Sequence, residues 1–358
     1  MPPLINIPSR KMLFAGINPT LLFTLNNPDA YGTSENDRFG ISVALSGNYA
    51  LVGAYLEDDA GGSNSGKAYI FDVTTGSLLH TLNNPNAYDT SANDNFGYAV
   101  ALSGNYALVG AYLEDDAGGA DSGKAYIFDV TTGNLLHTLN NPNAYSTSAN
   151  DRFGNAVALS GNYALVGAYQ EDDAGGSYSG KAYIFDVTTG SLLHTLNNPN
   201  AYSTSAGDFF GYAVALSGNY ALVSAHQEGD AGGSNSGKAY LFDVTTGSLL
   251  HTLDNPNAYD TSANDNFGRA VALSGNYALV GAYVEDDAGG ADSGKAYLFD
   301  VTTGSLLHTF DNPNAYGTSE NDYFGYSVAL SGNYALVGAY PEDDAGGADS
   351  GKAYIYQL

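Results

Sequence analysis

The chain has 358 residues, carries 38 acidic against 11 basic side chains for a formal net charge of −27, and contains no cysteine. Nucleic acids and anionic membranes recruit basic patches, so neither is expected as a partner; without cysteine, a disulfide framework, a thiolate metal site and a cysteine nucleophile are all excluded. Its longest apolar runs are strand-sized, so no membrane insertion through a helix is expected.

Residues 1–19 read as an N-terminal extension. Their Arg10-Lys11 pair precedes only the short apolar run Met12 to Ala15, far less than a secretory leader needs. From residue 20 to 358 the sequence reads as one domain, opening on the strand-like Leu21-Leu22-Phe23-Thr24-Leu25. A Phe-Gly pair then recurs every 57 residues, at Phe39, Phe96, Phe153, Phe210, Phe267 and Phe324. Such a period marks a repeat architecture.

In the second repeat, residues 96–102, 106–112, 124–130 and 135–139 are rich in Tyr, Val, Ile, Phe and Thr, which favour strands. Ser103-Gly104-Asn105 and Thr131-Thr132-Gly133 join the first strand to the second and the third to the fourth as tight hairpins. The second strand, Tyr106-Ala107-Leu108-Val109-Gly110-Ala111-Tyr112, is apolar on both faces, so its sheet must be covered on both sides. A ring of radially packed sheets does this. The expectation is an all-β, six-bladed β-propeller of four-stranded antiparallel blades. The last repeat stops at its third strand and the missing fourth stands at the other terminus as Leu21 to Leu25. The N-terminal strand is therefore expected to complete the last blade and close the ring, removing open edges and leaving a monomer.

Phe39-Gly40 with Val43-Ala44, Leu51-Val52-Gly53-Ala54-Tyr55 and Ser65-Gly66-Lys67-Ala68-Tyr69-Ile70-Phe71 resemble the FG-GAP repeat. The resemblance recurs six times over residues 20–358. It implies a propeller like that of the integrin α-subunit, found also in large extracellular bacterial proteins, and so an extracellular or cell-surface location and a role in adhesion or protein binding. Integrin calcium sits in an Asp-rich loop between the first two strands. Here that loop is only Ser46-Gly47-Asn48, so calcium does not carry over by motif.

In a four-stranded meander the connections alternate between the two ends of the strands. Only Asp72, Asp129, Asp186, Asp243 and Asp300 fall at the hairpin end, called the bottom; the other acidic residues go to the top. Each repeat brings a cluster there: Glu57-Asp58-Asp59, Glu114-Asp115-Asp116, Glu171-Asp172-Asp173, Glu228 with Asp230, Glu285-Asp286-Asp287 and Glu342-Asp343-Asp344. A further carboxylate stands two residues before each Phe, as Asp37, Asp94, Asp151, Asp208, Asp265 and Asp322. Oxygen ligands in glycine-bearing loops suit calcium, which is the expected cofactor. The competing reading is that the first group is solvated beside the lysine that opens the next strand, while the second caps turns.

The residue after Phe-Gly differs from repeat to repeat, as Ile41, Tyr98, Asn155, Tyr212, Arg269 and Tyr326, while the bottom hairpins hardly change. Variation on a rigid scaffold marks a binding surface, and these six are the expected contacts with a protein partner; exposed loops also drift. His80, His137, His194, His251 and His308 lie on outermost strands and read as structural, and no unique triad breaks the repeat. A non-enzymatic calcium-binding interaction or structural module is therefore expected. The alternative is a lectin-like propeller binding glycan at one site per blade through exposed tyrosines.

Overall fold

The computed structural model describes residues 21–28, 35–58, 62–85, 92–116, 119–142, 149–173, 176–199, 205–229, 233–256, 263–286, 290–313, 320–343 and 349–358. The extension over residues 1–19 lies outside them. In the first repeat the strands are β1 (Val43–Ser46), β2 (Tyr49–Ala54), β3 (Lys67–Asp72) and β4 (Leu78–Asn83). They pair antiparallel in chain order. Four further repeats form the same four-stranded sheet, and the sixth forms a three-stranded one over Phe324–Ser331, Tyr334–Ala339 and Lys352–Gln357. No helix occurs among the described residues, so no helix long and apolar enough to cross a membrane is present there.

The first strand of the second repeat covers only Val100–Ser103, shorter than the expected 96–102. Phe96-Gly97 instead makes a turn that ties the preceding repeat to its own sheet: Phe96 N–H donates to Ser65 C=O of the first repeat at 3.0 Å and Gly97 N–H to Gly110 C=O of the second at 2.9 Å. The facing glycine is what admits this approach. A Cβ on Gly66, whose φ is +83°, would lie 2.0 Å from the Phe96 carbonyl oxygen, a distance no side chain tolerates. The Phe96 ring is fully buried and meets Tyr126 and Phe128 at 5.8 and 6.0 Å between centroids.

Successive sheets pack face to face. Leu51, Ala68, Ile70 and Leu82 of the first sheet share one core with Phe96, Leu102, Val109 and Tyr126 of the second, and the pattern repeats through the sixth. The first strands of neighbouring sheets touch in sequence. They converge on a cavity of about 370 Å³ lined from five sheets, including Ser42, Tyr98, Asn155, Tyr212 and Arg269. At the bottom, Ser46 Oγ accepts from Gly104 N–H, and Ser103, Ser160, Ser217 and Ser274 repeat this bond to the next hairpin. His80 on the outer strand likewise reaches Thr131 C=O of the next sheet, as do His137, His194 and His251 in turn.

The expected ring closure is not a feature of this structure. Leu21 to Leu25 forms no strand and does not join Lys352–Gln357. The segment makes its contacts with the first sheet instead: Phe23 packs on Gly76 and Leu25 on the cluster of Ala50, Val52 and Tyr69. The two end faces consequently meet water. Leu45 and Ile355 are each 74% exposed, whereas their counterparts at an internal interface, Leu102 and Ile127, are 9% and 0% exposed.

Candidate functional site

The carboxylates expected to hold calcium separate into groups with different tasks. Glu57, Glu114, Glu171, Glu228, Glu285 and Glu342 are buried. Tyr69, Tyr126, Tyr183, Tyr240, Tyr297 and Tyr354 each donate a hydroxyl to the glutamate of their own repeat at 2.5–2.7 Å. In every repeat but the fourth, the lysine opening the third strand adds an ion pair at 2.6–2.8 Å. Burial together with the adjoining glutamate drives the Tyr126, Tyr183 and Tyr297 hydroxyls far above their ordinary range, so they remain donors. These glutamates are committed to internal pairing with tyrosine and, outside the fourth repeat, with lysine.

Asp37, Asp94, Asp151, Asp208, Asp265 and Asp322 are also buried. Each accepts an amide N–H at 2.7–2.8 Å from the asparagine ten residues before it, Asn27 through Asn312. Asp58, Asp115, Asp172, Asp286 and Asp343 accept the backbone N–H six residues on and shape their own loop. Asp116 and Asp173 sit beside them, each exchanging backbone hydrogen bonds with Gly119 or Gly176. Asp59, Asp230, Asp287 and Asp344 lie outside the described residues. Among the described residues no group of three or more His, Asp or Glu side chains is disposed to hold a metal ion. The sequence marked these clusters as alike; the signal separating them was the constant spacing of Glu57, Lys67 and Tyr69 in every repeat.

The residues after Phe-Gly do come together. Tyr98, Asn155, Tyr212 and Arg269 line the cavity at the top of the inner strands, with Tyr326 beside Arg269 and Ile41 half-exposed on the first sheet. A second set of aromatics backs them: Tyr55 and Tyr112 meet Tyr98 at 5.3 and 4.5 Å, Tyr169 meets Tyr212 at 5.4 Å, and Tyr283 and Tyr340 meet Tyr326 at 5.5 and 5.2 Å. The Arg269 guanidinium lies over two rings, 4.8 Å from Tyr212 and 5.1 Å from Tyr326. Burial first, then neighbouring phenols, pushes the Tyr98 hydroxyl up to about 12. The mouth thus offers neutral hydroxyl donors around one fixed cation.

The residues before Phe-Gly hold the rim. Arg38, Asn95, Arg152, Phe209, Asn266 and Tyr323 all have φ between 53° and 61°, a left-handed backbone that asparagine accepts and that costs bulky residues about 1 kcal/mol or more. Phe209 and Tyr323 adopt it nonetheless, and turn their rings onto Tyr169 and Tyr283. Arg152 reaches over Tyr112 at 5.8 Å and pairs with Asp121 at 3.4 Å.

The fourth repeat departs from the others. His226 stands where they have tyrosine, stacked between Phe209 at 5.9 Å and Tyr212 at 4.1 Å. Burial, reinforced by the Arg269 charge, lowers its pKa to about 3. It is therefore a neutral base to the stack beneath Arg269, and its Nδ1 has no hydrogen-bond partner among the described residues. Lys238 bonds Asp254, which replaces the asparagine of the first three repeats, and Glu228 keeps only Tyr240 of its usual two partners. Burial then pushes Glu228 up to about 8. Asp311 offers Lys295 the same escape, yet Lys295 stays on Glu285 at 2.8 Å; the fourth repeat also has Gly229 where the others have a loop-shaping aspartate.

Six stretches, residues 30–71, 86–128, 144–185, 201–242, 257–299 and 314–356, match the FG-GAP repeat family. No curated protein matches the chain. A solved structure similar to it is the crystal structure of the computationally designed Ika8 protein, at 16% identity and a TM-score of 0.49, covering 88% of this chain and 70% of that one.

Proposed function

The chain belongs to the FG-GAP repeat family, and from that premise we propose that it is a non-enzymatic interaction module of the cell exterior, a six-bladed propeller that binds a partner protein at its channel mouth. The observation that carries this reading is the ring of side chains after Phe-Gly, which change between successive repeats, gathered around a cavity of about 370 Å³ on sheets that are otherwise near copies. Loops on a rigid scaffold are where recognition is placed. Catalysis has little support. The mouth holds phenols, an amide and a guanidinium, and its one imidazole is buried and held neutral.

Closure of the ring by Leu21 to Leu25 belongs to this proposal. The segment touches the first sheet as an outer strand touches its next neighbour: Phe23 meets Gly76 as His80 meets Gly133, and Asn27 bonds Asp37 as Asn84 bonds Asp94. The three-stranded last sheet has the matching free edge, and both end faces carry exposed leucine, valine or isoleucine. A lectin reading with one site per blade draws less support, since one tyrosine of each repeat is committed to its glutamate and the mouth tyrosines converge on a single site.

The experiment is proximity cross-linking of partner proteins to the intact chain and to two variants. One carries Y98N, Y212N and Y326N, using the asparagine that the third repeat holds there; the other carries T131A and T188A at the bottom. Loss of the cross-linked partner from the mouth variant alone is the expected result. Loss from the bottom variant with retention by the mouth variant would refute the assignment.

A further inference from the structure

Resting on that reading, we propose that the mouth is a receptor for a carboxylate, and that the partner is an acidic peptide segment whose Asp or Glu side chain enters the cavity to meet Arg269. The argument begins with the placement of positive charge. Outside residues 1–19 the chain has nine basic side chains, six lysines at the start of third strands and the arginines Arg38, Arg152 and Arg269. Every one of the six lysines is in an ion pair. All three arginines flank a Phe-Gly pair and so stand at the mouth. Arg152 pairs with Asp121, and Arg38 is exposed at the edge of the first sheet. Arg269 has no ion pair among the described residues, although the chain carries 38 carboxylates.

Arginine held flat on aromatic faces is pre-organised, and its fork of N–H donors is left to point edgewise. Here the faces of Tyr212 and Tyr326 hold it, and His226 supports Tyr212 from behind without adding charge. A carboxylate is the acceptor that matches the fork with two bonds. Aromatic rings would otherwise attract a cation, but the chain's own guanidinium already covers two of these ring faces, and a second positive charge beside it is repelled. Asn155 and Tyr98 line the same cavity and bring neutral hydrogen-bonding side chains to it for the peptide backbone on either side. Its volume of about 370 Å³ admits one side chain with its adjoining amides. The −27 charge of the chain opposes the long-range approach of an acidic segment, so its binding must be carried by direct paired bonds to Arg269 and should strengthen as salt screens the surrounding carboxylates.

The test titrates the full chain with two blocked pentapeptides, Gly-Gly-Asp-Gly-Gly and Gly-Gly-Asn-Gly-Gly, followed by NMR of the arginine side-chain N–H signals. The expected result is that the Asp peptide binds at least about tenfold more tightly and moves the Arg269 signal. R269N, which installs the residue of the third repeat and so respects the fold, should erase that preference; R269K, keeping the charge and losing the fork, should retain part of it. Equal binding of the two peptides, or a preference that survives R269N, overturns the proposal, as does binding of a glucuronate oligosaccharide with indifference to both peptides. If neither peptide binds while the mouth variant still loses its cross-linked partner, the carboxylate inference falls and the interaction module stands; if the partner is indifferent to the mouth, both fall.

Discussion

The interfaces between sheets and the mouth above them are built from the same repeat under opposite rules. At the interfaces, Phe96, Gly123, Glu114, Lys124 and Tyr126 recur with the same residue along the chain and with the same geometry in all but the fourth repeat, where Lys238 bonds Asp254. At the mouth, the position after Phe-Gly holds four different residue types in six repeats. The difference teaches where tolerance lies. A buried glutamate with both partners in place leaves no substitution without an orphaned charge, whereas a side chain ringed by other side chains at a cavity can change alone.

The sharpest way to break the contrast is E171A. It strips the partner from buried Lys181 and from the Tyr183 hydroxyl, and removal of one member of such a pair costs about 3–5 kcal/mol. Chemical denaturation should show the midpoint fall accordingly. Next is G123A, at φ +81° with the Phe153 carbonyl 2.0 Å from the new methyl. The sheets must part, at a cost on the order of 3 kcal/mol. The same methyl added at the exposed hairpin glycine Gly104, which meets nothing within 4 Å but sits at φ +57°, should cost only about 1 kcal/mol.

A smaller effect separates the fourth repeat from the rest. Glu228 is raised from 4.5 to about 8 by burial, so between those values the native chain holds a proton that the unfolded chain has released. Stability from this group is present below pH 4.5 and fades as pH rises through 8. His226, lowered from 6.5 to about 3, acts in the other direction, its contribution being present above 6.5 and lost as pH falls toward 3. D254N should return Lys238 to Glu228, flatten the decline on the alkaline side and add on the order of 1 kcal/mol at pH 8; an unchanged melting profile would mean that Asp254 does not draw the lysine away.

At the mouth, R269N and Y98N give up ring contacts worth about 1 kcal/mol and should cost well under E171A, which sets their effects on binding apart from unfolding. Calcium sharpens the same division. With the described glutamates and aspartates engaged by Tyr, Lys, Asn and backbone groups, the chain should melt at the same temperature in calcium as in magnesium at equal ionic strength, both above EDTA through screening of the −27 charge. A calcium-specific rise of several degrees would return the top loops to a ligand role.

Much of the fold was legible because it is local. Six Phe-Gly pairs at a period of 57, with paired hairpins between them, state six sheets. The start of the inner strand was misplaced because a Phe-Gly turn docking across an interface reads, in one dimension, like the beginning of a strand. The buried destiny of Glu57 and its equivalents was hidden because they adjoin Asp58 in an acidic run, and a run looks the same whether one member turns inward or all face water. Convergence of Tyr98, Tyr212, Arg269 and Tyr326 was legible as variation at one place in the repeat. That Arg269 would lie on the two tyrosines flanking it, from the fourth and sixth repeats, depends on a geometry that no spacing states.

The serine at the end of each inner strand, bonded to the next hairpin glycine from Ser46 through Ser274, has a consequence for the chain as it emerges from synthesis. Every such rung is interchangeable with every other, so a nascent sheet finds in any later sheet a docking partner as good as its proper neighbour. Order is then kept by sequence of arrival: each sheet is completed and docked before its next rival has been made. A chain released all at once from denaturant lacks that timetable, and mispaired sheets should slow its refolding far more than its folding on the ribosome.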